Sequence, residues 1–315
     1  MPGPSPGMTY RTTVPRARHS PDPPMLFGAI CAGLVFGLYF TLVGLGLNLI
    51  FGVMRIVNLA HGDFLMLGGF AAYFLFYLLG LHPLVAAVAV LAVFFLVGLP
   101  IYYLVVPRLQ LARDAEMLSV ILFFGLSQVI EALTAIAFGT TERSIPGRIL
   151  GSGPVILFGQ RLPSAWVFGA AVSAAAASLV YLYLYRTRLG TLTRAVMVSR
   201  DEALATGIDV HRVSAIAFGI GVALAGIAGV FAPFMLGSVT PSIGVQINVA
   251  AFAVIVVGTL GNPLGTVLGG IIYGVSLMLM QTYLSSWAEL LPNLLLIGVL
   301  LIRPEGLLGR KTRRA

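Results

Sequence analysis

From residue 26 onward the chain alternates long apolar runs with short polar breaks. The runs cover residues 26–50, 64–81, 83–106, 117–138, 165–185, 213–236, 245–260, 264–283 and 284–302. Most approach the roughly 20 residues that a helix needs to cross the hydrocarbon core of a bilayer. The pattern predicts an all-α polytopic membrane protein with eight to ten crossings, in which the short run 245–260 is a candidate for a broken or re-entrant piece. Residues 1–24 differ in kind: they hold seven prolines and no apolar run, so they are expected to be a disordered tail. No small-residue cleavage pattern follows the first apolar run, which argues against a signal peptide. A translation start at Met25 would leave the tail out altogether.

The longest polar break in the second half, residues 186–212, organises the rest. It carries five arginines, Arg186, Arg188, Arg194, Arg200 and Arg212, against Asp201, Glu202 and Asp209. Within it Ala195, Val196, Val198, Ala203 and Leu204 recur at helical spacing, while Gly207 reads as a stop and Asp209 as a new cap. One or two short surface helices are predicted there, of a small, charge-flanked kind that suits a groove on a soluble partner. Arg55, Arg108, Arg113, the five arginines of this segment, Arg303 and the tail 310–315 fall on one side of the bundle. Only Arg143, Arg148 and Arg161 fall on the other. Basic loops stay cytoplasmic, so the C-terminus is expected inside. Nine crossings then place the N-terminus outside, where Arg11, Arg16 and Arg18 violate the same rule; a Met25 start or a tenth crossing removes the conflict.

Composition agrees with the pattern: 58% of residues are hydrophobic and 10% charged, with a mean hydropathy of +0.99, far from soluble domains. The net charge of +8 lies in loops and tails, so it does not describe a nucleic-acid surface. Cys31 is the single cysteine, and the four histidines lack a second ligand at metal spacing, so neither a disulfide nor a metal site is expected. The sole lysine, Lys311, stands in GRKT without the glycines of a phosphate-cradling loop, so ATP is not expected to bind here.

The polar residues left inside the apolar runs are the candidates for a path. Asn58, His61 and Asp63 occupy a turn inside GLGLNLIFGVMRIVNLAHGDFLMLGGFAAY, residues 44–73, where glycines permit close backbone approach. Asp63 also suits the first turn of the next helix, where the dipole favours an acid. Asn48, Gln128, Glu131, Asn248, Ser276 and Gln281 are the other candidates, and they speak against a purely structural scaffold. Glu131, with Ser127 and Gln128 placed on the same helical face, is the ionisable group that an ion-coupled secondary transporter or channel would use. No catalytic residues are expected.

The string IVNLAHGDFLMLGGFAAY, residues 56–73, resembles the signature of LivH-type permeases of bacterial branched-chain amino acid ABC importers. Three further stretches agree in order and spacing: RLGTLTRAVMVSRDEALATGIDVHRV (188–213), AFGIGVALAGIAGV (217–230) and VVGTLGNPLGTVLGGIIYGV (256–275). The similarity runs over residues 25–309, which the resemblance makes one transmembrane permease domain with a type II importer-like fold. It implies a bacterial inner-membrane subunit that works with a second, homologous permease, two cytoplasmic ATPase subunits that bind the ATP, and a periplasmic or lipid-anchored solute-binding protein. The solute would be a branched-chain amino acid or, as in related permeases, urea, a short amide or another small molecule. The segment 186–212 would couple to the ATPases, with Arg200, Asp201, Glu202, Ala203 and Gly207 as the contact candidates. DVHRVSAI follows where other importer families carry an Ile-x-Leu-Pro-like tail.

An internal echo adds an expectation of repeats. HGDFLMLGG at 61–69 and NPLGTVLGG at 262–270 both lead from a polar turn into a helix with paired glycines. Such correspondences mark repeats related by a pseudo-two-fold with the site between them, as in inverted-repeat transporters.

Overall fold

A computed structural model describes residues 23–309. Each apolar run but the last becomes one helix, the last dividing into a 3-10 turn and a short helix, and local chemistry sets the ends. Helix α1 (Pro23–Met54) has no internal breaker and outlasts its predicted run at both ends. Arg55, at φ +54°, ends it, and residues 55–60 run irregularly until the Asn58 side chain accepts from the Ala60 N–H at 3.1 Å and starts α2 (His61–Leu79). Gly80 at φ +64° ends α2, which is the left-handed stop that glycine adopts without strain. Helix α3 (Pro83–Gln110) begins under the His82 side chain with proline in its first turn, and α4 (Ala115–Phe138) follows. Next come strands β1 (Pro154–Leu157) and β2 (Gln160–Pro163), an antiparallel hairpin closed by Phe158 and Gly159. Both turn residues have positive φ, as a tight two-residue hairpin turn requires.

Helix α5 (Ser164–Arg186) leads to α6 (Arg188–Val198) and α7 (Arg200–Ala205), the two short helices of the charged segment. Thr187 and Ser199 cap them, Gly207 takes φ +81°, and the Asp209 carboxylate accepts from the Arg212 N–H to open α8 (Val210–Met235). Then come α9 (Ile243–Gly258), α10 (Pro263–Tyr283), a 3-10 turn (Ser285–Leu290) and α11 (Leu291–Ile302). Eight of these segments are long and apolar enough to cross a membrane. Helix α9 spans about 24 Å at 1.5 Å per residue, short of the ~30 Å core. The protein is thus an all-α polytopic membrane protein, and the small hairpin is its one β element among the described residues.

Lipid is as apolar as leucine, so close packing rather than water exclusion must join these helices. Glycine supplies it. Gly33 and Gly37 of α1 meet Gly270 and Gly274 of α10 backbone to backbone, and the register 33 to 275, 37 to 271 makes the pair antiparallel. Helix α8, buried along nearly its whole length, packs antiparallel to α1, with Tyr39 Oη donating to the Ala228 carbonyl at 3.2 Å and Gly46 against Gly221. It also packs antiparallel to α3, where Gly98 meets Gly219 and Phe94 meets Gly226.

The chain directions define two faces. One carries β1 and β2, with Gln160 beside Gly28 at the start of α1; the other carries α6 and α7, with Met197 against Gly52 at the end of α1. Following the helices through gives nine passes, so α1 begins on the hairpin face and α11 ends on the α6–α7 face. The basic tail 310–315 and residues 1–22 with Arg11, Arg16 and Arg18 lie outside the described residues.

The echo between 61–69 and 262–270 resolves differently from its sequence reading. Helices α2 and α10 both start from the α6–α7 side and run toward the hairpin face, so this pair has a common polarity, and its shared glycines report close packing. The inverted relation lies in other elements. Helix α1, the break 55–60 and α2 correspond to α8, the break 236–242 and α9. Helix α3 packs on α8 as α10 packs on α1.

Candidate functional site

The two breaks meet inside the bundle. The His61 ring touches Gly46, which lies eight residues before the end of α1 and therefore about 12 Å inside it. So α2 starts deep between its neighbours and runs to the hairpin face, whereas α9 starts beside it and runs the opposite way. Their N-termini come together at Gly62 and Gly244, where a Cβ on Gly62 would strike the Gly244 carbonyl and one on Gly244 would strike the Asp63 carboxylate. Only glycine fits on either side. Both helix dipoles turn their positive ends to this point.

Four of the sequence candidates gather there. Asn58, His61 and Asp63 are fully buried and Asn248 is 5% exposed. His61 Nε2 donates to the Val43 carbonyl at 3.0 Å, and Asn248 Nδ2 donates to the Leu59 carbonyl at 2.8 Å, which ties α9 to the first break. No hydrogen bond of ordinary geometry reaches their remaining polar atoms: Asn58 Nδ2, His61 Nδ1, Asn248 Oδ1 and both Asp63 oxygens, which Ser127 of α4 faces. Buried polar groups are costly unless hydrogen-bonded. Five such atoms around one crossing of broken helices mark a place built for something other than packing. On α4, Ser127 and Glu131 stand on the side of the Asp63 carboxylate.

The other candidates separate from this group. Asn48 is buried and fully engaged: its Nδ2 donates to the Asn262 carbonyl at 2.9 Å and to Thr266 Oγ1 at 2.5 Å, and its Oδ1 accepts from the Gly261 N–H at 2.6 Å. It clamps α1 to the α9–α10 turn. Gln128 is exposed on α4, whereas Ser127 is buried and Glu131 half-buried. It is turned about 100° from Ser127 and about 60° from Glu131, at the edge of their face. Ser276 is half-buried on α10 and Gln281 is exposed near its end.

In the charged segment, Asp201, Glu202 and Gly207 are exposed, Arg200 is half-buried, and Ala203 is 4% exposed and packs inward. Arg200 Nη2 donates to Gln110 Oε1 at 2.7 Å, which joins α7 to the end of α3. Arg194 Nε donates to the Leu184 carbonyl at 2.9 Å and its guanidinium lies over the Tyr185 ring, so α6 is fastened to α5. Met197 reaches Gly52 of α1, itself against Gly261. The two short helices therefore hold α3 and, through Gly52, α1.

Sequence reasoning missed the polar groups Gln246, Glu289 and Asn293, all exposed on apolar segments. The signal was present: a carboxylate and two amides interrupting otherwise aliphatic runs. It also missed the bridge by which Arg143, in the outer segment, pairs its backbone with Val239 of the second break and lays its guanidinium over Tyr73.

Comparison with known proteins agrees with the geometry. The family described as "Branched-chain amino acid transport system / permease component" matches residues 29–301. The permease protein LivH of a high-affinity branched-chain amino acid transport system in Escherichia coli K12 is 26% identical over 288 residues, covering 88% of this chain and 94% of that protein. BraD, a permease protein of the corresponding system of Pseudomonas aeruginosa, is 27% identical with the same coverage. The permease protein LivM of Escherichia coli K12 is 25% identical over 296 residues, which is 86% of this chain and 68% of that relative. No solved structure matches the chain with comparable significance.

Proposed function

This chain belongs to the family of branched-chain amino acid transport permease components, and on that premise we propose that it forms part of the membrane path of an ATP-driven importer for branched-chain or related amino acids. The observation that carries the reading is the head-to-head meeting of α2 and α9, with five unpartnered polar atoms of Asn58, His61, Asp63 and Asn248 around it. Broken helices near the bilayer midplane are where transporters hold polar solutes, because helix N-termini and freed backbone groups replace water there. The solute class rests on the names of the relatives.

The faces follow the distribution of arginine. The α6–α7 face, with Arg55, Arg108, Arg113, Arg186, Arg188, Arg194, Arg200, Arg212 and Arg303, is the cytoplasmic one, and the hairpin face with Arg143, Arg148 and Arg161 is external. The C-terminus is then cytoplasmic and the protein sits in a bacterial inner membrane. Two relatives of different name in one organism, LivH and LivM, support pairing with a second, homologous permease subunit. ATP is bound and hydrolysed by two partner subunits that dock on α6 and α7, with Arg200, Asp201, Glu202 and Gly207 at or near the contact. Ala203 contributes by seating α7. A solute-binding protein delivers cargo to the hairpin face.

The motion follows from the packing. Helices α2 and α3 ride on α8, and α9 and α10 ride on α1, so the bundle divides into two bodies that touch along α1 and α8. The segment 186–212 grips one body through Arg200 and Gln110 and the other through Met197, Gly52 and Gly261. A push on it tilts the bodies and opens the crossing at Gly62 and Gly244 to one face or the other.

The test is reconstitution in proteoliposomes with the second permease, the ATPases and the binding protein. Uptake of L-leucine that needs ATP and every subunit is the expected result. Accumulation by this chain alone, driven by an ion gradient, would overturn the proposal in favour of a self-sufficient transporter using Glu131.

A further inference from the structure

A cavity of about 370 Å³ opens on the hairpin-face half of the bundle between α9, α10, the 3-10 turn and α11. It is separate from the central crossing, although one helix serves both. Along the first turns of α9, Gly244 and Asn248 face Asp63 and Leu59, while Gln246 and Val249 line the cavity on the opposite side.

Four polar side chains from four elements converge on it: Gln246, Gln281, Glu289 and Asn293. All four are exposed, and Glu289 and Asn293 lie within the segment Ser285–Ile302 that is apolar enough to cross a membrane. Amides and a carboxylate are costly against lipid tails, and where they occur in such segments they face water, protein or solute. The opposite wall is apolar, made by Phe40, Ala250, Tyr273 and Leu277. A concave site in the few-hundred-Å³ range, mostly apolar with a few convergent polar groups, is the usual form of a small-molecule site. No lysine, arginine or histidine lines it, so the one lining residue of charged type is the acidic Glu289.

We propose that this cavity is an external holding site for a small zwitterion with an aliphatic side chain, in which Glu289 takes the ammonium group. The amides of Gln246, Gln281 and Asn293 donate to the carboxylate, and Phe40, Tyr273 and Leu277 cover the side chain. A solute held here is one helix away from the Asp63 crossing, with α9 as the partition. The inference rests on the reading of the chain as an amino acid permease, and adds where the solute waits and what recognises it.

The single cysteine, buried Cys31, makes a clean test. In the assembled transporter in nanodiscs, with Cys31→Ala, an Asn293→Cys or Gln246→Cys variant is treated with a charged, membrane-impermeant thiol reagent. Labelling is expected in both variants. At L-leucine about ten times its dissociation constant, free sites fall to roughly one in eleven and labelling slows about tenfold. Isocaproate, which lacks the ammonium group, is expected to give no protection, and Glu289→Gln is expected to abolish protection by leucine, each variant being compared with its own unprotected rate. Two inert cysteines that label only after denaturation would overturn the proposal, because the cavity would then be filled by lipid or the second permease. Labelling indifferent to leucine would overturn it too. ATP-driven leucine uptake by the same complexes in proteoliposomes separates the two claims: uptake without protection sinks the holding site alone, whereas a parent complex that takes up no leucine sinks the transport reading.

Discussion

Replacing Gly37 with alanine tests whether backbone contact holds the bundle together. A Cβ there would sit 2.7 Å from Ile271 Cα and 3.0 Å from the Gly270 carbonyl oxygen. Both are main-chain atoms, so no side chain can swing away. Ordinary contact needs about 3.5–4.0 Å, so α1 and α10 must separate locally by about 1 Å. A gap of that size forfeits a quarter to a half of each dispersion contact. If the seam is taken as equivalent to one buried leucine, with about 40–60 atom pairs at about 0.1–0.2 kcal/mol, the loss spans about 1–6 kcal/mol. Overpacking of tight cores typically costs about 1–3 kcal/mol, and about 2 kcal/mol satisfies both. The control is Gly125→Ala on α4, where nothing lies within 4 Å of the added carbon. That change should be neutral or gain up to about 1 kcal/mol from helix propensity. Cys31, buried on α1 two residues from Gly33, reports opening through its reaction with a thiol dye in detergent. When opening is fast relative to labelling, the rate follows the open population, so 2 kcal/mol becomes roughly thirtyfold faster labelling. A Gly37→Ala rate within about twofold of the Gly125→Ala rate would refute the glycine seam.

Asn48→Leu removes one side chain that serves Asn262, Thr266 and Gly261 together; a loss of about 2–3 kcal/mol is expected, since buried groups are left unpaired. It should appear as a lower thermal-inactivation midpoint, and an unchanged midpoint would remove Asn48 as a clamp. Asp63→Asn should cut ATP-driven uptake at least about tenfold while stability holds or rises, because an unpartnered buried carboxylate destabilises the fold that contains it. Lower stability with normal uptake per folded molecule would give Asp63 a structural role instead. Glu202→Arg, on the exposed side of α7, should abolish uptake and solute-stimulated ATP turnover without changing insertion; unchanged stimulation would count against docking at this residue.

The sequence told most about what one dimension records. Eight of the nine apolar runs became segments long enough to cross, because each helix must satisfy its own backbone in lipid, and the brevity of 245–260 foretold a helix too short to cross. The charged segment, with Gly207 as a stop, announced one or two short helices and a cap at Asp209; the fold has two, and the turn at Ser199 between them was not foreseen. Relations between distant segments were harder to read. Glycine pairs in α2 and α10 look alike because both helices need close neighbours, and that similarity hid the inverted match of α2 with α9. Gln128 was grouped with Ser127 and Glu131 on one helical face, and in the fold it stands exposed at the edge of that face. Glu289, in the apolar run 284–302, was passed over because its partners Gln246 and Asn293 lie on other elements and converge only in the fold.

The inverted relation gives the breaks a reason beyond solvating a polar point. In each repeat unit the long helix, α1 or α8, runs through the bundle, and the following short helix turns away to lie on the other unit's long helix: α2 on α8, α9 on α1. Each break is therefore a strap between the two bodies as well as the start of a helix. The Asn248 bond to the Leu59 carbonyl ties one strap to the helix that begins at the other, and Gly62 against Gly244 leaves no slack between them. Tilting of the bodies must then load the same residues that surround the unpartnered Asp63 carboxylate. On the proposed function, coupling and passage share one structural joint, so a substitution that loosens the joint should alter the stoichiometry of transport to ATP as well as its rate.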